Sequence, residues 1–333
     1  MDATVSKIIN KALDGGVLDE RESLELLKWD DLTDEAAAIR LAGRRLSEEL
    51  LPFAEIHGQI GLNIGPCPIN CEFCSLAAGN KVFAESSETP LETVVDYARL
   101  LEEKGANAIY LMTTANYSQE RFLEYGRAVK QALGADMPLI ANVGDFDADY
   151  AIELKKAGFA GVYHVIRMGE GEVTRSTKER RWKTIHAAQD AGLLLGSCVE
   201  PVGPEHALEE IVEKTIITRE MGARFSGSMR RTTIPSSPLA QHGQVSYARM
   251  TTIVAAVALI TGRGIAGNCT HEPNQLAVFN GANLLWAEVG SNPRDTEGKT
   301  EENRGWTVPR CRELLEECGW KVLDGPSKLF AAE

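Results

Sequence analysis

Apolar positions recur at helical spacing over residues 3–13, 19–28 and 33–51, and Leu32-Thr33-Asp34-Glu35 offers a cap with acids in the first turn, so the chain is expected to open with three helices. From residue 56 the rhythm changes to short β-rich runs alternating with longer amphipathic ones. Strands are expected over 56–64, 107–112, 138–143, 161–166, 193–199, 224–229, 264–269 and 283–289. Thr89-Pro90-Leu91-Glu92 reads as a capping box with proline at the first helical position. Helix stops are expected at Gly105, Gly134, Gly158, Gly192 and Gly222. Alternation in this count predicts an α/β fold, a (β/α)8 TIM-type barrel with an N-terminal helical extension, whose chemistry sits at the C-terminal ends of the strands. The division expected is a helical extension over 1–52 acting as lid or plug, a barrel over 53–305, and a C-terminal helix and tail over 306–333 closing the barrel.

Composition agrees with one large core: 333 residues, 44% hydrophobic and 25% charged. A net charge of −13 argues against general nucleic-acid binding, which needs clustered Lys and Arg. The longest apolar stretch, Ile253 to Ile260, is far shorter than the roughly 20 residues of a membrane span. Seven cysteines, an odd number with no charged-then-apolar leader before them, predict a reducing compartment, the cytoplasm.

Three of those cysteines stand together in Cys67-Pro68-Ile69-Asn70-Cys71-Glu72-Phe73-Cys74, directly after the first expected strand. A C-x3-C-x2-C run can hold three corners of a [4Fe-4S] cube and leave the fourth iron open. Structural zinc normally takes four ligands, and no second Cys-x2-Cys or His-x3-His pair is present. Inert buried thiols are the other alternative, and a polar, Pro-flanked turn is a poor place to bury three.

The spacing, Phe73 before the last cysteine, and the place after a strand resemble the radical S-adenosylmethionine (SAM) superfamily. That resemblance implies an open iron chelating SAM, reductive cleavage to a 5′-deoxyadenosyl radical, and hydrogen abstraction from an unactivated carbon. It also implies that the backbone of Thr113 and Thr114, after the second strand, meets the SAM amino group, and that Arg181, or its neighbour Arg180, holds the SAM carboxylate. From about residue 50 to 325 the chain looks most like the biotin synthase group, which includes biotin synthase, lipoyl synthase of the two-protein type, the iron-only hydrogenase maturase and methylornithine synthase. Pro235-Ser236-Ser237-Pro238-Leu239-Ala240 and Gly281-Ala282-Asn283 carry this likeness beyond the triplet.

The chain departs from well-known biotin synthases where those hold a second cluster, because the aligned positions are Tyr110, Ile140 and Gly196. Cys198 and Cys269, at expected strand ends, are the candidates for an auxiliary iron-sulfur cluster, with His271 and His164 available beside them. Cys311 and Cys318 lie seven apart on a C-terminal helix. Arg167, Arg230 and Arg231 follow strands and are candidate anchors for an anionic substrate, with Glu170 and Glu200 as further polar contacts. The resulting expectation is a radical SAM enzyme inserting sulfur into a small-molecule or carrier-bound acyl substrate, with reduced ferredoxin or flavodoxin as electron donor. The alternatives are a rearrangement or fragmentation enzyme and, in a different class, an iron-sulfur scaffold or redox carrier.

Overall fold

A computed structural model describes residues 1–271 and 273–331. Eight parallel staves form the barrel: Phe53–Gly61, Ala108–Met112, Leu139–Asn142, Gly161–Tyr163, a fifth in two pieces (Leu194–Gly196 and Val199–Val202), Phe225–Arg230, Gly267–Cys269 and Leu284–Gly290. The first stave lies between the second and the eighth, setting Gln59 opposite both Tyr110 and Glu288. The two ends of the strand order are the two pieces of the fifth stave, one paired with the fourth and the other with the sixth. Arg224 N–H donates to Leu195 O at 2.7 Å, which ties the first piece to the sixth stave as well and closes the sheet on itself. The register is irregular between Val199 and Val202, where Pro201 has no N–H to give.

Each expected strand is present, with shifted ends. The first stave stops at Gly61, and Asn63–Ile64 turn away to pair antiparallel with Ser87–Glu88, pinching off the loop that carries the cysteine triplet. Thr89-Pro90-Leu91-Glu92 does not form the expected capping box. Pro90 itself is the N-cap of helix Leu91–Glu103 with no side-chain cap, because the Thr89 backbone is engaged by Leu62 O and the Tyr125 hydroxyl.

The N-terminal helices Ala3–Leu13, Glu20–Leu27 and Asp34–Leu50 are neither lid nor plug. They lie on the outer helices Leu208–Glu220 and Tyr247–Thr261. Twelve consecutive residues of the latter, Met250 to Thr261, are buried, so its outward side needs a cover. Gly43 permits the close approach, since a Cβ there would sit 2.9 Å from Ala255 Cα.

The N-terminal end of the barrel is filled from within by Tyr110, Phe225, Trp286 and Phe330. Buried Glu55 accepts from the Lys328 amide at 2.7 Å and the Leu329 amide at 3.3 Å, and it stands 2.9 Å from His57 Nε2, whose Nδ1 meets the Tyr110 hydroxyl at 2.9 Å. The tail after helix Val308–Glu317 thus packs into the barrel floor, and the cavity opens at the other end.

Candidate active site at the barrel mouth

The triplet loop is held from several directions. Asn80 donates its amide to Glu72 O at 2.9 Å and Cys74 O at 2.8 Å, while Asn70, in the left-handed region at φ 54°, accepts from Gly79 N–H. Glu72 N–H donates to Val173 O at 3.0 Å and Arg175 N–H to Ile69 O at 2.8 Å, joining the loop to the segment after the fourth stave. Ser237, within the Pro235 to Ala240 run, donates its hydroxyl to Glu72 O, and Ser75 N–H donates to Pro293 O at 2.8 Å.

Cys67, Cys71 and Cys74 border a cavity of about 1210 Å³ of empty space, its open mouth included. Thr113, Thr114, Arg167, Arg181, Arg230, Cys198 and Cys269 border it too. Thr113 N–H donates to Asn142 O at 3.1 Å, and Thr114 exchanges two bonds with the Asn63 side chain. Arg181 is buried, with Nε 3.0 Å from Glu170 and Nη1 2.9 Å from Asp145. Arg180 reaches the other Asp145 oxygen at 3.1 Å from an exposed position and does not border the cavity.

Burial alone would raise Asp145, but His164 and the Arg181 charge outweigh it and hold this carboxyl well below the usual range. Glu170 is lowered in the same balance, by Arg181 and Arg167 against burial. His164, 3.2 Å from Asp145, is lowered to about 4, mainly by burial, and is therefore neutral at pH 7. Glu200 goes the other way, raised by burial, with Arg167 Nε 3.7 Å from it.

Arg231 is not at the cavity. Its guanidinium turns outward to Glu205 and donates to Gly243 O at 3.1 Å, which makes it a pin for the loop after the sixth stave rather than a substrate contact. Cys198 and Cys269 meet with sulfurs 3.4 Å apart, and the side chains packed with them include Tyr110, Ile140, Phe225 and Trp286. Among the described residues a four-ligand cluster finds two cysteines here. A side chain at Gly196 would strike the Phe225 ring, 2.5 Å from its Cβ. His271 packs on Trp286 with Nε2 3.4 Å from Glu288, and Cys311 and Cys318 are buried away from the cavity.

The radical SAM superfamily model matches residues 65–216, which contain the triplet, Thr113, Thr114 and Arg181. Residues 65–216 thus carry a radical SAM domain, a match over just under half of the chain. Biotin synthase of Mycobacterium avium (strain 104) is 26% identical over 220 residues, 64% of this chain and 63% of that protein. Biotin synthase of Rhodococcus jostii (strain RHA1) is 25% identical over 206 residues, 60% of each. The matched region thus spans just under two thirds of these relatives. The solved structure of methylornithine synthase superposes with a TM-score of 0.79 over 97% of this chain and 98% of that one, at 16% identity. The FeFe-hydrogenase maturase of Carboxydothermus hydrogenoformans gives 0.73 over 95% and 78%, at 19% identity. At these identities the likeness is one of fold.

The donor set fits the cluster that the radical SAM domain implies. Burial pushes the Cys71 thiol up to about 11 and the Cys74 thiol higher still, against the pull of the Arg167 charge, so a bound cation would be what draws these two into the thiolate form. Among the described residues no three Cys, His, Asp or Glu side chains converge on a single metal ion, and the three thiols border the wider cavity instead. Sequence reasoning missed Asp145 and Arg294. Both follow staves, the third and the eighth, so the strand-end rule that singled out Arg167 could have found them. Arg294 Nη2 donates to both carboxylate oxygens of Glu288, and the side chain lines the cavity.

Proposed function

We propose that this protein cleaves SAM reductively and abstracts hydrogen from a small anionic substrate in the barrel cavity, which then rearranges or fragments. The observation that carries this reading is that the triplet thiols, Arg181 and the strand-end polar groups all face one cavity. When bound, a [4Fe-4S] cluster with an open iron supplies the coordination site and the electron for that cleavage. Cys67, Cys71 and Cys74 would hold it. Arg181 spends two of its five N–H donors on Asp145 and Glu170, which fixes the guanidinium at the cavity wall and leaves donors that would hold a SAM carboxylate. Thr113 and Thr114 border the same cavity, and their backbone carbonyls would take the SAM amino group. Among the described residues the cavity wall carries Arg167 and Arg230 with Glu200 as its lining acid, Arg294 being engaged by Glu288, and guanidinium groups in the wall support a substrate bearing a carboxylate or another anion.

Sulfur insertion is the second reading, favoured by the sequence similarity to biotin synthases. It needs a sulfur donor, and outside the triplet the cavity-lining cysteines among the described residues are Cys198 and Cys269. The proposed reductive cleavage would draw its electron from reduced ferredoxin or flavodoxin in a reducing, cytoplasmic setting, and no described helix is long and apolar enough to cross a membrane.

The test is anaerobic reconstitution followed by iron and sulfide counts and an assay for 5′-deoxyadenosine with dithionite and SAM. About four irons support the rearrangement class, while about eight would restore the auxiliary cluster and sulfur insertion. Undiminished 5′-deoxyadenosine formation after replacing Cys67, Cys71 and Cys74 together with alanine would refute the reading.

A further inference from the structure

We propose that Cys198 and Cys269 form a hydrogen-atom donor pair that reduces a carbon radical inside the barrel cavity. This rests on the radical reading above and adds a step to it. Cys198 joins the two pieces of the fifth stave and Cys269 ends the seventh, and both border the cavity that the triplet borders. Alternate staves fill the same interior layer of a barrel, which is how two thiols separated by 71 positions come to lie 3.4 Å apart. Gly227 of the intervening stave lies opposite Cys269 and has no side chain to stand between them.

The surroundings decide which sulfur chemistry is open to the pair. Metal ligation and disulfide exchange both need the thiolate. Burial among Tyr110, Phe225 and Trp286 pushes the Cys198 thiol well above its usual range, with the Cys269 contact adding to the effect. The sulfur is therefore kept as S–H, the form that a hydrogen-atom donor must have. In the proposed step the S–H bond breaks homolytically and a C–H bond forms, so that a carbon radical plus thiol becomes C–H plus thiyl with no movement of charge. The neighbouring thiol can hand its own hydrogen atom across the 3.4 Å contact, moving the thiyl from one sulfur to the other. One electron from the external one-electron reductant and a proton from water then restore S–H.

The test uses the reconstituted full chain with SAM and dithionite in D2O, where thiols exchange to S–D. Without substrate, the radical available for reduction is the 5′-deoxyadenosyl radical itself. The wild-type product should therefore carry a single solvent-derived deuterium, counted per molecule of 5′-deoxyadenosine whatever the yield. Changing Cys198→Ser and Cys269→Ser together preserves size but replaces S–H with a stronger O–H bond, and the deuterium should be lost. Independently, a nitrone spin trap added during the reaction should mark the Cys198 or Cys269 peptide of the wild-type chain by mass. Product without solvent deuterium in the wild type, or equal deuterium in wild type and variant, overturns this inference and leaves SAM cleavage standing. No 5′-deoxyadenosine from the wild type sinks both.

Discussion

Replacing Arg181 with methionine removes the two charge-assisted bonds that neutralise a buried acid pair. The side chains of Arg181, Asp145 and Glu170 are 5%, 3% and 0% exposed, so solvent cannot substitute for what is lost. Breaking a buried pair by removing one partner costs about 3 to 5 kcal/mol. Asp145 keeps Arg180 at 3.1 Å, His164 at 3.2 Å and Ser176 at 2.8 Å, and Glu170 keeps the Thr174 hydroxyl and the Arg167 amide. These survivors place the expected loss near the lower end, about 3 kcal/mol. Arg180→Met, at a side chain 58% exposed, should cost about 0 to 1 kcal/mol despite touching the same Asp145.

Urea unfolding of the full chain reads this as a midpoint shift at unchanged slope. The pH dependence has a definite sign. Both carboxyls are depressed in the folded protein, so their contribution is present above their unfolded values and is lost as pH falls through the folded ones. Without Arg181 both folded values rise, and the gap between wild type and variant should therefore narrow below about pH 4. Equal losses for Arg180→Met and Arg181→Met, or a gap that does not change with pH, would refute the reasoning.

Asn80→Ala deletes the two bonds that brace the triplet loop; it should cost about 1 to 2 kcal/mol and speed iron release from reconstituted protein to a chelator, measured by absorbance. Gly196→Cys restores a cysteine at a position aligned with a biotin synthase cluster ligand, yet its Cβ meets the Phe225 ring. It should therefore destabilise by about 1 to 3 kcal/mol, add no iron, and be partly relieved by Phe225→Ala. Glu55→Ala strips the Lys328 and Leu329 amides and His57 of their acceptor, and limited proteolysis should then cut the C-terminal tail sooner than in the wild type. An unchanged cleavage rate would mean that ring packing alone holds the tail.

Local physics was enough to write down much of this protein. Helix caps, glycine stops and β-rich runs are short-range signals, and the staves lie where those signals put them, with ends moved by a few residues where the ladder or a turn took over. The triplet was legible because its chemistry sits within eight consecutive residues. What the linear chain did not reveal depends on which face a side chain takes once the sheet has closed. Arg230 and Arg231 are adjacent, yet the pleat sends one to the cavity and the other to Glu205 on the outside. Arg180 and Arg181 part in the same way on a helix, one exposed and one buried between two acids. The apolar run from Ile253 to Ile260 was informative in the sequence only as too short for a membrane span, and packing showed it to be part of a buried helix that the N-terminal helices cover. The contact of Cys198 with Cys269, and the rings where a second cluster might have been sought, were decided by barrel closure, which brings alternate staves into one layer and makes distant positions neighbours.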